Sequence, residues 1–450
     1  MPPRPPPSFY QNAILEQYAS RPANRVTLRQ LTVLGKTLTP PKLLSSANYV
    51  RSELPVRLAH RLIAMQHLPF IVGVNPHIER MYQLYWEAFN AFRAVPPIET
   101  PDDNRRFCEL LQAKMREHLI AIPQLALGIS QTADHLPPGE ADRFMNETLR
   151  SRIGRRVLSE QHVALTRMLE ADAAAAAAGT PSTSAGLRGA TSSSRIGIVD
   201  TRVVAGDTVR YVADVLESHF ARILPDRSVR LPEIRVTGRP EITFVYIPEQ
   251  IQYILYELIK NSIQATLRQH AAHGKPYTTG YDARCGAPAT GAGAPLRVTA
   301  TPARPKALPP IQVTIGTGES KVLFRVSDQG GGIPRGLNEH LWSFAYISKL
   351  KGHHFSRVPH LAGKIEERAP PTRAPTRSRA TPSAEGRAVT GVLDLGVGLV
   401  MSRVYANYWG GDLALRTMNN YGTDAYVTLV TGNQAENIGM TPGGHDPDEQ

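Results

Sequence analysis

Apolar residues recur at three- and four-residue intervals from residue 8 to about residue 170. Leu54, Leu58 and Leu62 form one such series; Met81, Leu84, Phe89 and Phe92 form another. Positions three and four apart share one helical face, so this spacing predicts amphipathic helices. No long alternating stretch of the kind a strand needs interrupts them. Prolines at Pro40-Pro41, Pro69, Pro76, Pro96-Pro97 and Pro137-Pro138 cut the region into helices of bundle length. An up-and-down helical bundle is therefore expected over residues 9–170, preceded by a disordered, proline-rich N-terminus at 1–8.

The pattern changes after residue 194. Ile196 to Ile198, Thr243 to Ile247, Ile311 to Ile315, Val322 to Val326 and Ala425 to Val430 are short β-rich runs. Amphipathic helices are expected at Val209–Ile223, Glu249–Gln269 and Gly398–Trp409. Strands mixed with helices predict an α/β sandwich over 195–432, with helices on one face of a sheet. Between the halves, ADAAAAAAGTPSTSAGLRGATSSS at 171–194 is low-complexity and reads as a linker, although its alanines could extend a helix. Residues 270–310 and 351–390 hold seven and five prolines and read as mobile insertions. Residues 433–450 read as a polar tail.

The length of 450 residues suits two or three domains. No apolar run approaches the ~18 residues that a membrane span needs. Cys108 and Cys285 follow no metal spacing, which argues against a disulfide scaffold or a zinc site. The N-terminal segment lacks the apolar core of a secretory signal and is too proline-rich for a good mitochondrial presequence. The formal charge of +12 would ordinarily raise nucleic acid as a partner. Its distribution leaves nucleic acid as a third reading, motivated by charge alone. Residues 270–310 carry five Lys/Arg against Asp282 (+4), and 351–390 carry eight against Glu366, Glu367 and Glu385 (+5), so 9 of the 12 excess charges lie in the insertions.

Three motifs in the second half carry candidate chemistry. The first is Glu257-Leu-Ile-Lys260-Asn261-Ser-Ile-Gln-Ala265, in an expected helix. Glu257 and Asn261 share a face, where a carboxylate can accept a proton and an amide can hold Mg²⁺; alone, the pair reads as a solvated polar face. The second is Asp328-Gln-Gly330-Gly-Gly332, directly after a strand. It puts a carboxylate at the mouth of the sheet with glycines that allow close approach to a ligand, and alone it is a common turn. The third is Gly396-Val-Gly398-Leu399, opening a helix, followed by Gly422-Thr423-Asp424 before the last strand. Free N–H groups at a helix N-terminus suit phosphate, though a lone G-x-G is weak.

In this order and spacing the three resemble the N-box, D-x-G-x-G box and G-x-G-L box of the Bergerat ATP-binding fold. Histidine kinases, type II topoisomerases, heat-shock 90 chaperones and MutL mismatch-repair proteins share that fold. The rest of the chain resembles one branch. Glu53-Leu-Pro-Val-Arg57-Leu-Ala59, Asp142-Arg-Phe144, RSRIGRRVLSEQH at 150–162, Ile196-Gly-Ile-Val-Asp200 and the stretch from Ser402-Arg403 onward look like the mitochondrial kinases of 2-oxo acid dehydrogenase complexes. These are the pyruvate dehydrogenase and branched-chain 2-oxo acid dehydrogenase kinases.

The resemblance implies an ATP- and Mg²⁺-dependent protein-serine kinase with a helical bundle before a Bergerat-type ATP domain. It implies Glu257 as general base, Asn261 as Mg²⁺ ligand, Lys260 beside the phosphates, and Asp328 on the adenine amino group. Gly330 and Gly332 would begin the nucleotide lid, Gly396, Gly398 and Leu399 would form its far end at the phosphates, and Thr423 would lie on the adenine side. His118, in Glu117-His118-Leu-Ile-Ala-Ile-Pro123 with Gly128 ten residues on, matches a histidine that tunes the catalytic glutamate. It also reads as a helix-surface histidine or as a phospho-acceptor. The implied partners are a dehydrogenase α subunit as substrate, pyruvate dehydrogenase ahead of branched-chain, the lipoyl domain of the acyltransferase core, and a second copy in a homodimer. The implied place is the mitochondrial matrix. The sequence departs from the family at Val400, where proline usually follows G-x-G-L. It also departs in some thirty extra residues after Leu361-Ala-Gly363 and in a tail without the Asp-Trp pair. A histidine protein kinase and a catalytically impaired scaffold are the competing readings.

Overall fold

The computed structural model describes residues 13–137, 139–177, 194–223, 230–270, 308–338, 340–344, 398–431 and 435–438. The expected disordered start at 1–8, most of both insertions and most of the linker lie outside these residues.

The first half is helical, as its spacing predicts: α1 (Ala13–Ala19), α2 (Leu28–Lys36), α3 (Pro40–Gln66), α4 (Phe70–Gly73), α5 (Pro76–Arg93), α6 (Pro101–Glu117), α7 (Ala121–Thr132) and α8 (Glu140–Ala177). The prolines begin helices more than they end them. Pro40, Pro76 and Pro101 each sit in a first turn, where the missing N–H costs no helical bond. Thr27 and Thr100 close capping boxes at the starts of α2 and α6. Pro55 lies inside α3 without ending it. Leu54, Leu58, Leu62, Met81, Tyr85 and Phe89 are buried along one continuous core. The alanine run does extend a helix, carrying α8 to Ala177.

The second half is mixed α/β. A three-stranded antiparallel sheet, order β1-β2-β4, is formed by β1 (Arg195–Ile196), β2 (Val199–Val204) and β4 (Thr243–Tyr246). A five-stranded sheet, order β3-β5-β6-β8-β7, is formed by β3 (Ile234–Gly238), β5 (Ile311–Thr317), β6 (Lys321–Ser327), β7 (Asp412–Met418) and β8 (Gly422–Val430). Its β3·β5 pair is parallel and its other pairs are antiparallel. Val322, Phe324 and Val326 alternate inward along β6, so one sheet face is apolar. The helices α9 (Ala205–Ile223), α10 (Pro248–His270) and α12 (Gly398–Tyr408) pack on the sheets, and a short α11 spans Arg335–Asn338. β3 and β7 escape the sequence reading because polar residues break their alternation.

One feature differs from expectation: within the expected polar tail, Glu436 and Ile438 are 0% and 1% exposed, and Ala435 bridges Thr27. Among the described residues, no helix is long and apolar enough to cross a membrane.

A buried polar cluster in the helical half sets a pH dependence. His162 is 1% exposed, with Nε2 2.8 Å from Asn104 Oδ1 and Nδ1 3.3 Å from Ser46 Oγ. Burial pulls its pKa down to about 4. Between that value and the ordinary imidazole value the unfolded chain binds more protons, so stability falls as pH drops through the window. About 2 kcal/mol from this residue is expected to be lost by pH 5. Urea midpoints at pH 7.5 and pH 5 measure it, and His162→Gln should flatten the difference.

Candidate active site

Helix α10 carries the first group. Its apolar face, with Ile251, Ile254, Leu255, Leu258 and Ile259, is buried, and this fixes where the polar face points. Glu257 and Lys260 are 4% and 8% exposed. Lys260 Nζ donates to Glu257 Oε2 at 2.6 Å and lies 5.6 Å from the Tyr256 ring centroid. Asn261, one turn beyond Glu257, is half-buried.

The second group is a turn held by one carboxylate. Asp328 follows β6, and its Oδ1 accepts from the N–H groups of Gly330 at 2.9 Å and Thr423 at 3.2 Å. Its Oδ2 accepts from the Ser262 hydroxyl at 2.9 Å. Residues 262, 328 and 423 thus meet at one aspartate. Burial raises its pKa, although these three donors pull the other way. Gly331 and Gly332 have φ of 87° and 77°, which favours glycine. A Cβ on Gly330 would overlap Ala265 of α10, so the turn lies directly on that helix. Ile333 N–H donates to Thr417 Oγ1 at 2.7 Å, tying the turn to the β7–β8 hairpin.

The third group is the start of α12. A Cβ on Gly398 would overlap Glu257 Oε2, so the helix N-terminus abuts the buried carboxylate. Leu399 packs against the core and Val400 is 2% exposed in the first turn. Gly396 lies outside the described residues.

The described parts of the three motifs therefore meet. His118 makes its contacts with other residues of the helical half. It is 9% exposed in the helical half, with Nε2 3.3 Å from Leu84 O and its ring 5.4 Å from the Tyr85 ring. It borders a small cavity lined also by Lys114, Arg152, Arg155 and Arg156. Burial, then the Arg155 and Arg152 charges, pull its pKa down to about 3. It is neutral at physiological pH and makes no direct hydrogen bond to Glu257, whose Oε2 accepts from Lys260. Nor is it a surface histidine. Ser262 stands beside Asn261 with no role that the motif assigns to it, and Thr417 carries no motif at all.

Chemically, the site offers a buried carboxylate paired with an ammonium, a half-buried carboxamide, an aspartate fixed by three donors, and a helix N-terminus. Its glycines open the space that a ligand or a partner backbone needs. Among the described residues no cluster of three His, Cys, Asp or Glu could hold a metal. A lone amide oxygen suits a cation such as Mg²⁺, which keeps waters and arrives on phosphates.

Comparison with known proteins gives the class. A family profile described as mitochondrial branched-chain alpha-ketoacid dehydrogenase kinase matches residues 25–200. The mitochondrial [pyruvate dehydrogenase (acetyl-transferring)] kinase 2 of Saccharomyces cerevisiae is 26% identical, over 95% of this chain and 86% of its own. The corresponding kinase of Arabidopsis thaliana is 27% identical, over 90% and 89%. Isozyme 4 of Rattus norvegicus is 25% identical, over 86% and 76%. The chain is a homologue of Bergerat-fold ATPases. Within them, its homology is to the family of mitochondrial pyruvate dehydrogenase and branched-chain ketoacid dehydrogenase kinases, which supports a kinase of this general type.

Proposed function

We propose that the protein is an ATP-dependent protein-serine kinase of the mitochondrial matrix that phosphorylates and inactivates the α subunit of a 2-oxo acid dehydrogenase. The observation that carries this reading is the meeting of Gly398 with Glu257 on the same helix, α10, that carries Asn261 and brings Ser262 to the Asp328–Thr423 cluster. Asp328 would accept from the adenine amino group, with Thr423 on the same side. Lys260, the α12 N–H groups and the Gly396–Leu399 segment would face the phosphates. Asn261 would hold Mg²⁺, which supplies charge neutralisation on the transferring phosphoryl group. Glu257 would take the proton from the substrate serine as its oxygen attacks the γ-phosphorus and ADP departs.

Pyruvate dehydrogenase is the favoured target, supported by pyruvate dehydrogenase kinases matching over most of their length. The profile matching residues 25–200 supports branched-chain dehydrogenase as the other candidate. The helical half would dock the lipoyl domain of the acyltransferase core, and the chain would act as a homodimer. A phospho-accepting role for His118 is disfavoured by its burial.

The test is transfer from [γ-³²P]ATP to each purified dehydrogenase. Acid-stable label on the pyruvate dehydrogenase α subunit is expected. Label on neither dehydrogenase would overturn the reading, and acid-labile label on the kinase itself would replace it with a histidine kinase.

A pH dependence follows from Asp328. Nucleotide binding needs its ionised form, and burial raises its pKa. Affinity for ATP is therefore expected to fall as pH drops, starting above the usual carboxylate range. Calorimetric titration between pH 7.5 and pH 5 measures this. Asp328→Ala should weaken binding by roughly 10- to 100-fold through loss of a charge-assisted hydrogen bond.

A further inference from the structure

The helical half and the C-terminal end of α12 are joined through a buried ionic cluster that no sequence motif assigned to the active site. Arg57 on α3 is 1% exposed and sits between two carboxylates. Its Nε donates to Glu53 Oε1 at 3.0 Å. Its Nη2 donates to Glu436 Oε1 at 2.5 Å, and its Nη1 to Glu436 Oε2 at 3.3 Å. Glu436 also accepts from the Tyr408 hydroxyl and, at 3.1 Å, from Val26 N–H. Two backbone bonds fasten the same segment: Glu436 N–H to Val26 O at 2.9 Å and Asn437 N–H to Tyr408 O at 2.8 Å.

Tyr408 is the last residue of α12, and Gly398 beside Glu257 is the first. The next residue, Trp409, donates from Nε1 to Gln250 of α10 at 2.9 Å. The C-terminal end of α12 is thus clamped to α10 and, through Glu436, to α3. Gly154 on α8 faces the same point: a Cβ there would come within 2.6 Å of Arg57 Nη1, 3.1 Å of the Tyr408 hydroxyl and 3.2 Å of Glu436 Oε2. A helix of 11 residues transmits displacement of one end to the other as a rigid rod of about 15 Å. A second contact restrains it, with the Arg403 guanidinium 4.7 Å from the Trp342 ring. Trp342 lies two residues before Phe344, whose N–H is held by Asp142 of α8 at 2.7 Å.

We propose that Glu436 is a positioning residue for the phosphate end of the nucleotide site. It holds α12 in the register that keeps Gly398 against Glu257, and it couples that register to the helical half. The functional consequence rests on the kinase reading above; the mechanical coupling does not.

The test compares the full-length protein with Glu436→Gln and Tyr408→Phe. The second variant retains the Arg57–Glu436 pair and loses only one hydroxyl, so it covers the case in which Glu436→Gln does not fold. The first readout is hydrogen exchange in the nucleotide-free protein over peptides spanning 398–405. Faster exchange there is expected, reaching the far end of the helix rather than stopping at 405–409. The second is ATP affinity, expected to weaken by about tenfold for Glu436→Gln and less for Tyr408→Phe. KM for ATP should rise more than kcat falls, and Glu436→Asp should restore part of the affinity. Exchange confined to 405–409 and 435–438, with ATP affinity unchanged and only the melting temperature lowered, would overturn the proposal. Wild-type protein that binds no ATP would instead overturn the kinase reading, and the exchange data would still decide the coupling.

Discussion

Replacing Glu257 by glutamine is expected to leave ATP binding intact and to cut phosphotransfer by roughly 10²- to 10⁴-fold, the usual contribution of a positioned general base. Glutamine keeps the length and shape of the side chain. Its amide oxygen can still accept from Lys260 Nζ, now 2.6 Å from Oε2, so α10 and the α12 start should hold their places. What disappears is the group that receives the serine proton. Single-turnover transfer to the dehydrogenase, with ATP affinity measured separately, reads the two effects apart. Full transfer by the variant would remove Glu257 from the mechanism. Glu257→Asp keeps the charge but shortens the reach, and should fall between the two.

Arg57→Met is expected to destabilise the protein by about 3–5 kcal/mol, because it leaves two carboxylates buried without their cation. Burial alone would lower the Arg57 pKa, but Glu436 and Tyr408, followed by Glu53, outweigh it and raise it instead. Burial and Glu436 likewise hold the Tyr408 phenol well above its ordinary value, so it stays a donor. Methionine is of similar volume and supplies none of the four bonds that Arg57 donates, one to Glu53, two to Glu436 and one, at 2.6 Å, to Asn24 O. Urea unfolding of both proteins measures the loss. The double variant Arg57→Met/Glu436→Gln should cost less than the sum of its parts, since one of the stranded charges is removed with the arginine. Additive losses would mean that the two side chains do not act as a pair.

The sequence made α10, β6, α12 and β8 legible because each joins a clear periodicity to a motif. Glu257, Asp328, Gly398 and Thr423 lie at the ends or on the polar faces of those elements, and they converge. β3 and β7 were not legible: Arg235 and Thr237, or Arg416 and Met418, leave no clean alternation, and their pairing is set by neighbours distant in sequence. His118 was legible only as a motif: its spacing to Pro123 and Gly128 cannot say which side of a bundle the ring faces, and the contacts with Leu84 and Tyr85 come from folding. Glu436 escaped because a single acid in a polar stretch reads as solvated. Only folding places it at 0% exposure, opposite an arginine from α3.

The Arg57–Glu436 pair joins residues 379 apart in sequence. A chain emerging from the ribosome, or threading through a translocation pore, makes Arg57 and Glu53 early and must wait for the second carboxylate. Until residue 436 is available, the first helices can collapse around their leucines, but their central guanidinium lacks half of its partners. The finished packing of the amino-terminal half is thereby tied to the arrival of the segment that carries Glu436. A chain interrupted before that point would present a loosened helical half to chaperones and proteases.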